Sequence, residues 1–274
     1  MLSVNTNVGA MVALQYLNKT SSDLETTQGR INSGLKVAGP KDNGAVYAIA
    51  QNMRGNVAGY GSVADSLNRG ISTVDVAISA GQSISDLLNE LKGKALAAAD
   101  SSLDTASRTA LNEDFTALRD QITTIVQNAT FNGTNLVDGT TTDIQALASA
   151  DGSKKITVTG QNMSLSGSIV TLTAGASIST ATSASTMITT INASIQNVNA
   201  SLAKLASGTK KFSIQNDFVQ KLMDTLKAGI GNLVDADMAV ESAKLQSLQV
   251  KQQLGVQALS IANSAPSITL SLFR

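Results

Sequence analysis

The segment VNTNVGAMVALQYLNKTSSDLETTQGRINSGL, residues 4–35, decides the fold predicted for this chain. It carries little charge, and its apolar residues recur at alternating steps of four and three, which is typical of a coiled-coil seam. We expect Gly39-Pro40 to end this first helix, because proline disfavours helix in the preceding residue and lacks a backbone donor. The seam positions are Ala10, Leu14, Leu17, Ser21, Leu24, Gln28, Ile31 and Leu35.

The other end of the chain carries a second segment of this kind. Residues 235–264 are predicted to form the last helix, with Val250 and Ile261 among its apolar residues, and Pro266 is expected to stop it. Because either helix would leave an apolar stripe exposed, we expect both to pack against each other and against neighbouring subunits. The residues assigned to this packing and assembly are Leu14, Leu17, Leu24, Ile31, Leu35, Met238, Leu245, Leu248, Leu254, Leu259, Leu270 and Leu272.

Three more helical regions are predicted between these ends. Residues 44–98 and 105–128 have helical periodicity, and Asp104 or Thr105 is expected to cap the second of them. Helix is predicted to resume at about residue 184. Its glycines are expected to interrupt it, and they are Gly208, Gly229 and Gly231.

The middle of the chain, residues 140–190, is rich in Ser and Thr and poor in charge. Turn signals such as Asp151-Gly152 separate short runs that read as strands at about 144–148, 156–158 and 169–173. The fold is therefore predicted to be mainly α. Long antiparallel helices of coiled-coil type come from both termini, with a small β-hairpin region in the middle.

The composition excludes most catalytic and metal chemistry. The chain has no Cys and no His, so it lacks a thiolate nucleophile and the commonest general base and metal ligand. Asp235, Asp237 and Glu241 could form a metal cluster, but carboxylates at a helix start more commonly cap free amides. We expect no catalytic residue, no metal and no cofactor.

Charge and hydropathy also exclude two classes of partner. The formal net charge is zero, which argues against nucleic acid. Polar residues interrupt both long uncharged runs, so no membrane span of about 18 apolar residues is predicted. The first charged side chain is Lys19, and export without a cleaved signal peptide is therefore expected.

The two terminal segments are not expected to be stable alone. Ordering a backbone costs about 1–2 kcal/mol per residue, and a single aliphatic stripe offsets little of that cost. Isolated helices are marginal in water. We therefore expect residues 1–40 and 235–274 to be mobile in the monomer and to gain order when many subunits bury their seams together.

Several short motifs resemble those of bacterial flagellins. At the N-terminal end they are Asn5-Thr6-Asn7 and Arg30-Ile31-Asn32-Ser33-Gly34-Leu35-Lys36, and the turn Phe131-Asn132-Gly133 follows later. At the C-terminal end they are residues 235–242 and Leu270-Ser271-Leu272-Phe273-Arg274. The ordered set spans both ends and is similar to a minimal flagellin of two domains.

This resemblance implies an architecture and a function. Residues 1–43 and 232–274 would form an inner domain in the filament core, and 44–231 an outer helical domain with a β-rich insert at about 130–180. The chain would polymerise head-to-tail with itself, and possibly with paralogous flagellins, into an extracellular filament for swimming. Other implied partners are an export chaperone of the type III apparatus, the filament cap and the junction proteins.

Three alternatives compete with this interpretation. A hook–filament junction protein shares the terminal helices but would not be extended by its own kind. A secreted coiled-coil protein unrelated to the filament is expected to lack the closing motif. A flagellin carrying a protease insert would need metal-binding histidines, and the sequence has none.

The resemblance also implies a window read by an animal innate-immune receptor. Lys92 and Lys94 stand where arginines are usual, Leu96 matches, Ala95 replaces an acidic residue, and Asp114 replaces a common glutamate. Lysine lacks the planar fork of arginine. We therefore expect weak recognition or escape.

Overall fold

The structure is a computed structural model that describes the backbone of residues 6–271 and the side chains of residues 6–264. Helices and short strands follow one another along the chain. In order they are α1 (Val8–Ser33), α2 (Gly44–Ala98), α3 (Thr105–Asn128), β1 (Thr130–Phe131), β2 (Thr134–Asn135), β3 (Asp143–Leu147), β4 (Lys155–Thr159), α4 (Ala181–Val234) and α5 (Met238–Ser271). The prediction of a mainly α fold with a small β region in the middle is confirmed.

The described residues form two compact units. One comprises the described parts of Met1–Gly55 and Thr225–Arg274, and the other is Asn56–Asp224. Helices α2 and α4 contribute residues to both units. The first unit contains α1, α5 and a small apolar cluster around Val37, Ala50 and Val234.

The second unit holds the main aliphatic core. Helix α3 contributes Phe115, Ile122 and Val126 to it, and Asp104 caps this helix by accepting from Ser107 N, as predicted. Two antiparallel sheets of two strands each cover part of the core, β1 with β2 and β3 with β4. Val158 of β4 lies against Gly208 of α4, where an added Cβ would come within 2.6 Å of it.

The end of α1 differs from the prediction. Gly34, at φ +71°, ends the helix six residues before Pro40, and its N–H donates to Arg30 O at 2.8 Å. Glycine adopts this left-handed conformation at little cost. The chain then pairs with the segment before α5, through Lys36 N to Val234 O at 2.8 Å and a bridge between Leu35 and Asp235.

The predicted interruptions of α4 are wrong, because the helix runs unbroken from Ala181 to Val234. The glycines of α4 instead allow neighbouring side chains to approach the helix backbone closely. Val158 occupies the space beside Gly208, and Met53 Cε would lie 2.9 Å from a Cβ at Gly229. Asp235 Oδ2 similarly lies close to Gly231. A mid-helix glycine costs about 1 kcal/mol in propensity, and long flanking helical sequence absorbs that cost.

Two other predictions are corrected. Residues 169–173 form no strand; Val170 and Leu172 are buried in alternation, but Thr171 N bonds to the Ser194 hydroxyl of α4 at 3.1 Å. Pro266 does not stop the last helix, which continues to Ser271.

Candidate functional site

The paired terminal helices α1 and α5 form the candidate site. They run antiparallel, and contacts recur along their length: Arg30 bonds to Glu241, Leu17 lies against Gly255, and Asn7 bonds to Ala262. From one contact to the next, the residue number rises on one helix and falls by a similar amount on the other. The two helices therefore keep one register over the described length.

The seam of α5 follows a strict alternation of four and three. Its buried and half-buried positions are Glu241, Leu245, Leu248, Gln252, Gly255, Leu259 and Ala262. Three of the residues assigned to packing and assembly, Leu245, Leu248 and Leu259, lie in this seam. Gly255 lets α1 approach closely, because a Cβ there would lie 3.2 Å from Leu17 Cδ1.

Four predicted α5 residues point away from α1. Leu254 is 58% exposed, and Met238, Val250 and Ile261 are exposed as well. They form an outer apolar face rather than part of the seam. The side chain of Leu270, and all of Leu272, lie outside the described part of the chain.

Helix α1 divides its apolar residues in the same way. Leu17, Leu24 and Ile31 are half-buried on the side that meets α5, whereas Leu14 is 47% exposed. Leu35 lies past the helix end and packs on the Val37 cluster. A straight helix drifts from a strict heptad repeat, so small and polar residues complete the buried stripe. Those residues are Ala10, Ala13, Thr20, Ser21, Thr27 and Arg30.

A polar cluster within the seam was missed by the sequence reasoning. Arg30 Nη1 donates to Glu241 Oε1 at 3.0 Å, and Glu241 is 7% exposed. Thr27, three residues before Arg30 on α1, is buried as well. Glu241 was predicted to be a cap, but Asp237 does the capping by accepting from the amides of Ala239 and Val240. The heptad position of Glu241, four before Leu245, was the available signal.

The immune-receptor window lies on α2 in the second unit. Lys94 Nζ binds Asp114 Oδ2 of α3 at 2.5 Å, Lys92 is half-buried, and Leu96 is 63% exposed. Ala95 is buried in the helical core, so this position faces away from solvent. The structure brings Lys94 and Asp114 together, and their role in recognition stays a prediction.

The described residues offer neither a metal cluster nor a membrane-spanning helix. Within residues 6–271, no cluster of three His, Cys, Asp or Glu side chains is arranged to hold a metal ion. None of the helices in that range combines the length and apolarity that crossing a bilayer requires. Large apolar side chains of α1 and α5 remain exposed in the described part of the chain.

Comparison with known proteins confirms the resemblance in the sequence. Residues 4–142 match the bacterial flagellin N-terminal helical region, and residues 188–273 match the C-terminal helical region. The chain is 54% identical to flagellin FljK of Caulobacter vibrioides over 99% of this chain and 98% of that one. It is 36% identical to a flagellin of Brucella melitensis, over the whole of both chains. A crystal structure of Bacillus cereus flagellin aligns with a TM-score of 0.49 and 23% identity, over 55% of this chain and 86% of that one. The chain belongs to the bacterial flagellin family.

Proposed function

We propose that this flagellin polymerises head-to-tail into the flagellar filament by burying the outer apolar faces of α1 and α5 against other copies of itself. The supporting observation is the set of large apolar side chains left exposed once the two helices have paired. Large apolar side chains exposed in this number on one helix pair indicate an interaction surface. On α1 and α5 it comprises Val8, Met11, Val12, Leu14, Tyr16, Met238, Val240, Val250, Leu254, Val256 and Ile261.

Each terminal helix would then have two apolar faces with separate tasks. The seam through Leu17 and Leu248 joins α1 to α5 within one chain. The outer faces through Leu14 and Leu254 join one chain to the next. Contacts that repeat head-to-tail without closing give an open helical polymer. In this scheme residues 1–43 and 232–274 form the inner domain of the filament and 44–231 the outer one.

Folding of the terminal helices would be coupled to assembly. Leu17, Leu24 and Ile31 are only half-buried in the single chain, so the seam alone recovers little of the ordering cost. Neighbouring copies supply the missing burial. The outer Asn56–Asp224 unit has its own fully buried aliphatic core and needs no such help.

The remaining assignments follow from this role. We assign the chain to the extracellular filament, exported unfolded, with an export chaperone, cap and junction proteins as its partners. Paralogous flagellins would share its interfaces. We assign it no enzymatic step, since torque passes through cumulative apolar packing.

A pair of substitutions on one face of α5 tests the proposal. Leu254→Gln replaces an exposed apolar side chain and should raise the critical concentration for seeded growth about tenfold, from about 1–2 kcal/mol of lost burial. Lys251→Gln, one turn away and also exposed, should change it less than twofold. Equal effects of the two variants would contradict the proposed contact surface. Deleting residues 268–274 should leave the Asn56–Asp224 unit folded and abolish growth.

A further inference from the structure

The side chain of Asn7 makes two hydrogen bonds of different kinds. Its Oδ1 accepts from Ala10 N at 3.0 Å, which caps the first turn of α1. Its Nδ2 donates to the backbone carbonyl of Ala262 in α5 at 2.6 Å, across 255 positions of the chain. One amide group therefore joins the start of α1 to the interior of α5.

The Ala262 carbonyl is available because of the residue four positions later. In an α-helix each carbonyl accepts from the N–H of residue i+4. For Ala262 that residue is Pro266, which has no N–H, and a proline ring also crowds the carbonyl four residues before it. Helix α5 nevertheless continues past this point to Ser271.

We propose that Asn7 is a positioning residue that supplies the donor missing at Pro266 and so makes the continuation of α5 depend on the docked start of α1. An unpaired carbonyl inside a packed helix pair is costly, and an amide donor removes that cost. Asparagine offers a capping oxygen and a donor on one short side chain, which aspartate does not. The first turn of α1 and the end of α5 thereby become ordered together.

This inference rests on the proposed function, because it assigns a role within the α1–α5 pair that builds the filament. It goes further by stating that a proline can lie inside α5 only with Asn7 opposite it. The proline and the asparagine act as one unit. The free-energy effects of substituting the two residues should therefore not be additive, and a double-mutant cycle measures this directly.

The cycle uses the full chain, with critical concentration for seeded growth as the first readout. Asn7→Asp keeps the capping oxygen and removes the donor, and it should raise the critical concentration about tenfold. Pro266→Ala restores an N–H for Ala262, so Asn7→Asp in that background should change the value less than twofold. Asn43→Asp is the matched control, since Asn43 Oδ1 caps the start of α2 at Val46 N, 3.1 Å. Asn43→Asp should change the critical concentration less than twofold in both backgrounds.

If Asn7→Asp changes the critical concentration by the same factor in both backgrounds, or changes it in neither, the proposal is overturned.

A second readout makes the test independent of polymerisation. Gly9→Cys with Ala262→Cys places two Cβ atoms about 4.0 Å apart, which suits a disulfide in a chain that has no other cysteine. The rate at which this pair oxidises in dissolved monomer reports how often the two helix ends dock on each other, and it should fall about tenfold with Asn7→Asp and recover with Pro266→Ala. If wild-type chain does not extend seeds, the proposed function fails while this rate still decides the inference.

Discussion

Arg30 of α1 and Glu241 of α5 form an ion pair, with 3.0 Å between Nη1 and Oε1, that joins the two ends of the chain across 211 positions. The side chain of Glu241 is 10% exposed, and that of Arg30 is 31% exposed. A charged layer within a seam of otherwise uncharged residues favours one alignment of the helices. The pair therefore fixes register more than it adds stability.

Breaking this pair should weaken the filament. Glu241→Gln removes the charge but keeps the shape, so the Arg30 guanidinium is left without its counter-ion, at a cost of about 2 kcal/mol per subunit. The temperature of filament disassembly, followed by light scattering, should fall.

Asp237→Asn is the matched control for that change, because asparagine caps a helix about as well as aspartate. Asp237 caps α5 without contacting Arg30 among the described contacts. Its variant should disassemble at the wild-type temperature. Equal losses for the two variants would show that the ion pair has no special role.

Two glycines of the second unit should have opposite effects on stability when each is replaced by alanine, because their surroundings differ. A Cβ at Gly208 would lie 2.6 Å from Val158 Cγ1, and the branched Val158 side chain has little freedom to move. Gly208→Ala should therefore lower the free energy of unfolding by about 1–3 kcal/mol in urea titration. Gly93→Ala, with nothing within 4 Å of the new methyl group, should raise it by about 0.5–1 kcal/mol. A stabilising effect at Gly208 would contradict the packing of β4 on α4.

The carboxyl group of Asp151, in the loop between β3 and β4, should titrate at unusually low pH. The pKa of Asp151 is lowered to about 2, chiefly by the Ser149 hydroxyl and also by the backbone N–H and the hydroxyl of Ser153. Because the folded pKa lies below the ordinary aspartate value of 3.8, the stabilisation of this turn is present above that value and is lost as pH falls through about 2.

The Ser149→Ala variant tests this assignment. Removing the largest cause should move the pKa of Asp151 upward toward 3.8, as followed by carboxyl carbon chemical shifts in NMR. Ser153→Ala should cause a smaller rise, because its N–H still donates to Asp151. An unchanged pKa in the Ser149 variant would contradict the loop geometry.

Recognition by the innate-immune receptor should be weak. Lys94 is held by Asp114, and Ala95 is buried, so Leu96 and the Asp114 side chain, which is 59% exposed, are the window residues most open to solvent. Purified monomer should give a low signal in a receptor reporter assay, and Lys92→Arg with Lys94→Arg should raise it by restoring planar donors. Full-strength activation by the wild-type monomer would contradict this hypothesis.

The sequence predicts the helices of this fold well where capping and periodicity act locally. Helices α2 and α3 have the predicted bounds, because Asp104 and the Ser-rich break before it are local signals. It fails where a distant residue decides the outcome. Gly208 lies inside α4, where Val158 of β4 fills the space beside it, and in our proposal α5 passes Pro266 because Asn7 binds the carbonyl of Ala262.

The apolar pattern of α5 does not by itself divide its residues between the seam and the outer face. It assigns Leu245, Leu248, Leu254 and Leu259 together to packing and assembly, whereas the structure puts Leu245, Leu248 and Leu259 in the seam and leaves Leu254 exposed. The true seam of α5 includes a charge at Glu241 and a glycine at Gly255, whose roles depend on Arg30 and Leu17 of the other helix. A single-helix pattern contains no information about the partner helix.

The most direct test of the central claim is electron microscopy of purified, depolymerised chain after short filament seeds are added. The proposed assembly predicts long tubes that grow from the seeds, with growth lost in the chain lacking residues 268–274. Seeds that remain short in the presence of wild-type chain would contradict the claim that this flagellin extends a filament of its own kind.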